Sequence, residues 1–111
     1  MLILIIRTRA TPEQMELLLS EHKFYIKVAV DVERRILAGG GQLHSDCESE
    51  LLDDGSRQEN LWGAGFMPLT KKVTYDSLIN LRPRQNRSME ILDATIREQV
   101  AEIIQQLLGG I

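Results

Sequence analysis

Cysteine is nearly absent from the sequence, and this limits the covalent and metal chemistry open to the protein. Cys47 is the only cysteine among 111 residues, so no intramolecular disulfide can form and a four-cysteine zinc site is excluded. A cysteine nucleophile needs a lowered pKa and a neighbouring base, and the sequence indicates neither. We therefore interpret Cys47 as a small buried hydrophobic residue in a protein of a reducing compartment.

Long hydrophobic runs are absent as well. The apolar run at residues 2–6 follows no basic region and ends at Arg7. A secretory signal needs roughly 7–15 apolar residues, and a membrane-spanning helix needs about 20. We therefore expect a cytoplasmic protein with no membrane association, in which this run forms a buried strand.

The sequence has no excess of positive charge. The net charge is −3 and the pI is near 5.4, which argues against broad binding to nucleic acid or to anionic membranes. Hydrophobic residues make up 43% and charged residues 26% of a chain of ordinary single-domain length. We expect one globular domain over residues 1–111 and no nucleic-acid partner.

Two helices carry clear boundary signals. Thr11 is a capping residue, Pro12 suits the first helical position, and Gln14 completes a capping box. Asp93 is the matching cap for a helix over residues 94–108, whose apolar residues recur on one stripe at helical spacing. Both helices are predicted from local chemistry alone.

Residues 24–38 fit two patterns. The valines at 28, 30 and 32 alternate with other residues, which favours a strand. On a helical wheel, however, the segment separates into an apolar and a polar side. Asp31 also stands three and four residues before Arg34 and Arg35, the favourable order for ion pairs on a helix. We interpret the segment as a helix that ends at the glycines 39–41.

Glu33 is the exception on that predicted helix, because it projects into the apolar side. A buried carboxylate must be paired or neutralised, and such groups are over-represented in functional sites, so Glu33 is a candidate catalytic acid. The simpler alternatives are that the segment is a strand, or that Glu33 lies at the edge of the apolar side and reaches solvent.

The remaining apolar segments predict strands over residues 43–49, 61–66 and 73–81, with a short returning strand near 89–91. Together with the first strand and the helices, these segments predict an α+β fold. We expect a mixed or mostly antiparallel sheet of about five strands, packed by about three helices.

The predicted strand at 43–49 also carries a candidate site. His44, Asp46 and Glu48 would lie on one face of it, and these residue types bind divalent metals or transfer protons. Successive side chains on one strand face are about 7 Å apart, which is wide for one ion without further ligands. The alternative is a solvated strand face with no chemistry.

A second candidate site is the arginine-rich segment after the strand predicted over residues 73–81. Arg82, Arg84 and Arg87 lie close together, and the planar guanidinium group matches phosphate and carboxylate. This is the best anion-binding candidate, although arginines that pair with local acids in a solvated turn would give the same pattern.

The chain resembles a small bacterial family of unknown function over nearly its whole length. The pieces that carry the resemblance are Val30-Asp31-Val32-Glu33, Gly40-Gly41-Gln42-Leu43-His44 with Asp46, Gly55-Ser56-Arg57-Gln58, Leu61-Trp62-Gly63, Ser77-Leu78-Ile79-Asn80-Leu81-Arg82-Pro83 and Asn86-Arg87-Ser88-Met89-Glu90-Ile91. The resemblance implies a stand-alone bacterial protein and no particular activity. The chain departs from the family at Gln42, where the family is associated with glutamate.

From these patterns we expect a non-catalytic binding or homo-oligomeric module without a cofactor. Its partner would be a second copy, another protein or a small anion. A dimer is expected because the stripe of the last helix, extended by Leu108 and Ile111, is wide for a small sheet to cover. The alternatives are a metal-dependent or acid/base enzyme that uses His44, Asp46 and Glu48, and an anion or nucleotide binder that uses the arginines.

Overall fold

The computed structural model of the protein describes residues 3–109. Within this range, five strands form one antiparallel sheet in the order β1-β3-β2-β4-β5, and three α-helices pack against it. The strands are β1 (Leu4–Ile6), β2 (Ile26–Asp31), β3 (Ile36–Gly39), β4 (Leu61–Met67) and β5 (Lys72–Thr74), and the helices are α1 (Pro12–Leu18), α2 (His44–Asp53) and α3 (Ala94–Leu108). The predicted α+β fold class is confirmed. None of the helices within residues 3–109 has the length and hydropathy of a membrane span.

The two helix boundaries that were predicted from capping chemistry are confirmed. The Thr11 hydroxyl accepts a hydrogen bond from the Gln14 backbone N–H, and the Gln14 side chain accepts one from the Thr11 N–H. At the start of α3, Oδ1 of Asp93 accepts hydrogen bonds from the N–H groups of Thr95 and Ile96. These signals were reliable because the capping residues act within one helical turn.

Residues 24–38 form a β-hairpin, and the helix predicted there is wrong. β2 and β3 pair antiparallel, with Asp31 opposite Ile36. Nearly every residue of β2 is buried, whichever side of the strand it lies on, so the alternating valines face no exposed polar side that would have favoured the strand over the helix. Asp31 closes the turn, because its Oδ1 accepts hydrogen bonds of 2.9 Å from the N–H groups of Glu33 and Arg34. The acid–base spacing that suggested helical ion pairs is therefore part of a turn.

Residues 44–53 form helix α2, and the strand predicted over 43–49 is wrong. Cys47 and Leu51, one helical turn apart, are fully buried in an apolar cluster with Ala29 and Ala38 of the sheet. The polar alternation over the first residues fits either structure. The helix is indicated by the spacing of four residues between the buried Cys47 and Leu51. This spacing becomes visible only when the sequence is read beyond residue 49.

Helices cover both faces of the sheet. One core cluster joins Val28, Trp62 and Phe66 of the sheet to α1 and α3, where Leu18 and Ile103 are buried. The other cluster joins the opposite face to α2. The sheet is therefore a middle layer between helices.

The apolar stripe of α3 is covered within the chain itself. Leu108 is only 4% exposed, and the N–H group of Ala10 donates a 2.8 Å hydrogen bond to the carbonyl of Leu107. We expected Leu108 to extend the exposed apolar surface of this helix, and this prediction is wrong because Leu108 is buried. Ile111 lies outside the described residues. The dimer stays a prediction, and the apolar stripe of α3 no longer supports it.

The strand predicted over residues 73–81 is much shorter in the structure. β5 ends at Thr74, and the chain continues through a 3-10 helix at Leu78–Asn80. The predicted returning strand near 89–91 is reduced to a single β-bridge between Asp76 and Glu90. We call residues 75–92 the edge segment, because they lie along the edge of β4 that β5 leaves unpaired.

Candidate binding surface on the edge segment

The edge segment covers the open edge of β4 with a side chain instead of a strand. β5 pairs with β4 only from Gly65 to Met67. Beyond that point, Oδ1 of Asn80 accepts a hydrogen bond from the Gly63 N–H at 2.7 Å, and Nδ2 of Asn80 donates to the Gly63 carbonyl at 2.9 Å. The buried amide thus satisfies the two backbone groups that a neighbouring strand would pair.

Glycine is required at position 63 by this arrangement. A Cβ atom there would overlap the Ser77 side chain, which is buried above Gly63. The absence of a side chain lets the edge segment approach the β4 backbone closely enough for the Asn80 amide to reach it.

A second buried asparagine fixes the end of the segment. Nδ2 of Asn86 lies 3.1, 2.8 and 2.7 Å from the carbonyl oxygens of Asn80, Ser88 and Glu90, and its Oδ1 accepts from the Leu92 N–H at 3.0 Å. The turn between Arg82 and Asn86 is also closed by backbone hydrogen bonds in both directions. The segment is therefore held by buried hydrogen bonds over most of its length.

Arg82 is used within the fold. It is 6% exposed, and its guanidinium group donates to the carbonyls of Ile79, Glu59 and Leu61. The guanidinium carbon also lies 4.1 Å from the centre of the Trp62 ring, in a cation–π contact. Burial lowers the pKa of Arg82. Of the three predicted anion-binding arginines, this one is a cross-link between the edge segment and the sheet.

Arg84 and Arg87 are exposed, and the structure pairs neither with an acid anywhere in residues 3–109. Arg87 donates from Nε to the Pro83 carbonyl at 2.8 Å, a bond that leaves its terminal nitrogens available. The arginines that do pair with carboxylates lie elsewhere, at positions 7, 34, 35 and 57. Of the three arginines predicted to bind an anion, Arg84 and Arg87 are therefore the two that remain available on the edge segment.

Exposed apolar side chains surround these two arginines. Leu81 is 51% exposed and lines one depression with Arg84 and another with Arg87. Leu92 is 61% exposed and lines a cleft with Arg87 on the other side of the loop. We call Leu81, Arg84, Arg87 and Leu92 the edge surface.

His44, Asp46 and Glu48 do not share a face. On α2, His44 and Glu48 are one turn apart, whereas Asp46 points to the opposite side of the helix. The structure shows no group of three or more His, Cys, Asp or Glu side chains placed to hold a metal ion within its described range. The premise of the predicted site, a common strand face, is wrong.

His44 is turned towards the sheet. Its Nε2 lies 2.7 Å from the Ala64 carbonyl oxygen, and because a carbonyl only accepts, Nε2 carries the proton. Burial lowers the pKa of His44, and the hydrogen bond to Ala64 opposes this shift. Oε2 of Glu48 is buried without a hydrogen-bond partner among the described residues. These two side chains keep the acid/base alternative open.

Glu33 is exposed in the turn of the hairpin, as the simpler alternative expected, and it is not a buried acid. Its carboxylate accepts a hydrogen bond from the Asn60 side chain. The buried acid of this region is Asp31, which is fully buried, and whose Oδ2 has no partner in the described part of the chain. Asp31 could have been recognised from the sequence, because polar turn residues follow it at positions 33 and 34. This spacing is typical of an aspartate that closes a turn.

Sequence reasoning also missed Asn80 and Asn86, which organise the edge segment. Asn80 lies between apolar residues with no glycine beside it, and this is an unusual context for a turn asparagine. That context was the available signal, but the partner Gly63 is 17 residues away and gives no local pattern.

The fold and this surface define a small α+β domain whose open sheet edge is covered by an arginine-bearing segment. The chain belongs to the family described as "Protein of unknown function (DUF5674)", whose sequence profile matches residues 4–107. The resemblance noted from the sequence is thereby confirmed over nearly the whole chain. No curated protein and no solved structure matches the chain.

Proposed function

We propose that the protein is a non-catalytic binding module that docks an acidic segment of a protein partner on the edge surface. The observation that carries this proposal is that Arg84 and Arg87 are exposed and unpaired with acids within residues 3–109, while the segment that bears them is fixed by Asn80 and Asn86. A pre-organised surface loses little conformational freedom on binding, so its charges contribute to affinity.

The chemistry of the surface favours a protein over a nucleic acid. The chain carries a net charge of −3, and the edge surface offers two available cations. Nucleic-acid binding usually depends on many phosphate contacts. Leu81 and Leu92, beside the arginines, supply the apolar contact area that protein interfaces combine with arginine. The expected partner segment therefore carries carboxylates next to large apolar residues.

Selection from a random peptide display library on the immobilised protein tests the proposal. We expect enrichment of peptides in which Asp or Glu adjoins a large apolar residue. The Arg84→Glu, Arg87→Glu double variant should lose this enrichment, because it reverses the charge of the surface. The Lys23→Glu, Lys72→Glu double variant is the matched control, since it makes the same change in net charge at two exposed cations outside the edge segment, and it should keep the enrichment. Enrichment that survives the double variant would overturn the proposal.

In the homo-oligomer expected from the sequence, a second copy of the chain would occupy the edge surface. The chain is acidic overall, so a neighbouring copy offers carboxylates to Arg84 and Arg87. Sedimentation equilibrium at micromolar concentration distinguishes a second copy of the chain from another protein as the occupant. A mass of one chain leaves the surface free for another protein, whereas a dimer that the double variant dissociates would make the second copy the occupant.

A further inference from the structure

The cleft beside Arg87 has the size and lining of a small binding site. It is an open depression of about 530 Å³ between the edge segment and the first turn of α3, within the range of about 300–1,000 Å³ that is usual for ligand sites. Trp62 lies at its base, and Leu92 and Ile96 form an apolar wall. Arg87 stands at its rim. The lining therefore combines apolar surface with one cation, Arg87, and one anion, Asp93.

The two charged side chains that line the cleft, Arg87 and Asp93, differ in the partners they already have. Oδ1 of Asp93 accepts hydrogen bonds from two N–H groups at the start of α3, at 2.8 and 3.2 Å, so this carboxylate is held by the positive end of the helix. Arg87 has no such acidic partner among residues 3–109. An incoming carboxylate would therefore pair with Arg87.

We propose that this cleft receives a large apolar side chain of the partner segment while the adjacent carboxylate of that segment pairs with Arg87. The inference rests on the proposed function and adds its specificity: the recognised unit is an apolar residue next to an acid, not acidic charge alone. A leucine side chain would cover the exposed Leu92 side chain and the part-buried Ile96 side chain. Each buried CH₂ group strengthens binding by about fourfold, since it contributes about 0.8 kcal/mol.

Titration with two synthetic peptides tests the cleft directly. Both carry the same acidic residues, and one has a single leucine where the other has alanine. The readout is the indole N–H signal of Trp62 in two-dimensional NMR spectra, which is unambiguous because the chain has one tryptophan. We expect the leucine peptide to shift this signal and to bind at least about tenfold more tightly than the alanine peptide.

A matched pair of variants locates the effect. Leu92→Glu removes the exposed wall of the cleft, and Leu69→Glu changes a leucine that is 85% exposed and lies outside the edge segment. We expect Leu92→Glu to abolish the preference for the leucine peptide and Leu69→Glu to preserve it.

The outcomes separate this inference from the proposed function. The two peptides could bind equally well, and both could lose binding in the Arg84→Glu, Arg87→Glu double variant. This result would overturn the proposed role of the cleft and leave the proposed function intact. A leucine preference that survives Leu92→Glu would also overturn the cleft. Absence of binding by either peptide would contradict both.

Discussion

The side-chain amide of Asn80 pairs with both backbone groups of Gly63, at 2.7 and 2.9 Å, and so takes the place of a strand at the open edge of β4. Asn80 is fully buried. Its Nδ2 also lies 3.2 and 3.1 Å from the carbonyls of Tyr75 and Met89, so one side chain joins the sheet to both ends of the edge segment. The placement of Arg84 and Arg87 depends on this connection.

Replacement of Asn80 by alanine should therefore destabilise the protein strongly. The change leaves the N–H and carbonyl groups of Gly63 buried without partners, and we expect a loss of about 2–4 kcal/mol in the free energy of unfolding. Urea denaturation measures this loss. Gln58→Ala, at an exposed position, is the control and should change the free energy by less than about 0.5 kcal/mol. Equal losses for the two variants would contradict the role of Asn80.

The last helix provides a test of the core. Ile103 is fully buried in the stripe of α3, and Ile103→Ala should cost about 2–4 kcal/mol because it leaves a cavity. Glu98 is exposed on the same helix, and Glu98→Ala should stay within about 0.5 kcal/mol. Denaturant melts that show equal costs would mean that the stripe is wrongly placed.

The Cys47 thiol should be unreactive in the native protein. Burial raises its pKa from 9.0 to about 11, so the thiolate is scarce at neutral pH. A disulfide reagent should label Cys47 only after denaturant is added. Because the pKa is higher in the folded state, stability linked to this thiol is complete below about pH 9 and is lost as the pH rises towards 11. Cys47→Ala should lose less stability across that window than the wild type.

His44 should make the protein less stable in mild acid. Burial lowers its pKa from 6.5, so the folded state favours the neutral ring. The stability linked to His44 is present above about pH 6.5 and is lost as the pH falls through the lower folded pKa. Thermal melts of wild type and His44→Gln from neutral to acidic pH check this, and the variant should lose less stability. Identical pH profiles would show that the ring is not desolvated.

A second variant of His44, His44→Ala, addresses the enzyme alternative. A metal site at His44 and Glu48 would raise the melting temperature when Mn²⁺ or Zn²⁺ is added, because the metal would bind the native state. Our account expects no such rise in the wild type. A rise that His44→Ala abolishes would contradict the account and favour a metal-dependent enzyme.

Sequence reasoning succeeded where the determining interactions are local. The caps at Thr11 and Asp93 act within a few residues, so both helices were predicted with their correct starts. The hairpin at residues 26–39 was missed although its valines alternate, because a strand buried on both faces has no polar side and the acid–base spacing of its turn also fits a helix. Helix α2 was missed because its decisive spacing, Cys47 to Leu51, extends beyond the polar stretch that suggested a strand.

The candidate site was only partly predictable for a related reason. The arginine cluster was visible in the sequence, but which arginines are available depends on tertiary contacts. Arg82 is buried by its contacts with Leu61 and Trp62, about 20 residues away in the sequence, whereas Arg84 and Arg87 remain outside. Only the folded edge segment separates the structural arginine from the available ones.

If Arg84 and Arg87 bind carboxylates of a partner, the affinity must fall as salt screens these charges. Fluorescence anisotropy of a labelled acidic, leucine-containing peptide would be measured at about 0.1 M and about 1 M salt, where charges are screened over about 10 and 3 Å. We expect affinity for the wild type to fall steeply with salt, and the Arg84→Glu, Arg87→Glu variant to bind weakly at both concentrations. Equal, salt-independent affinities for the two proteins would contradict the account.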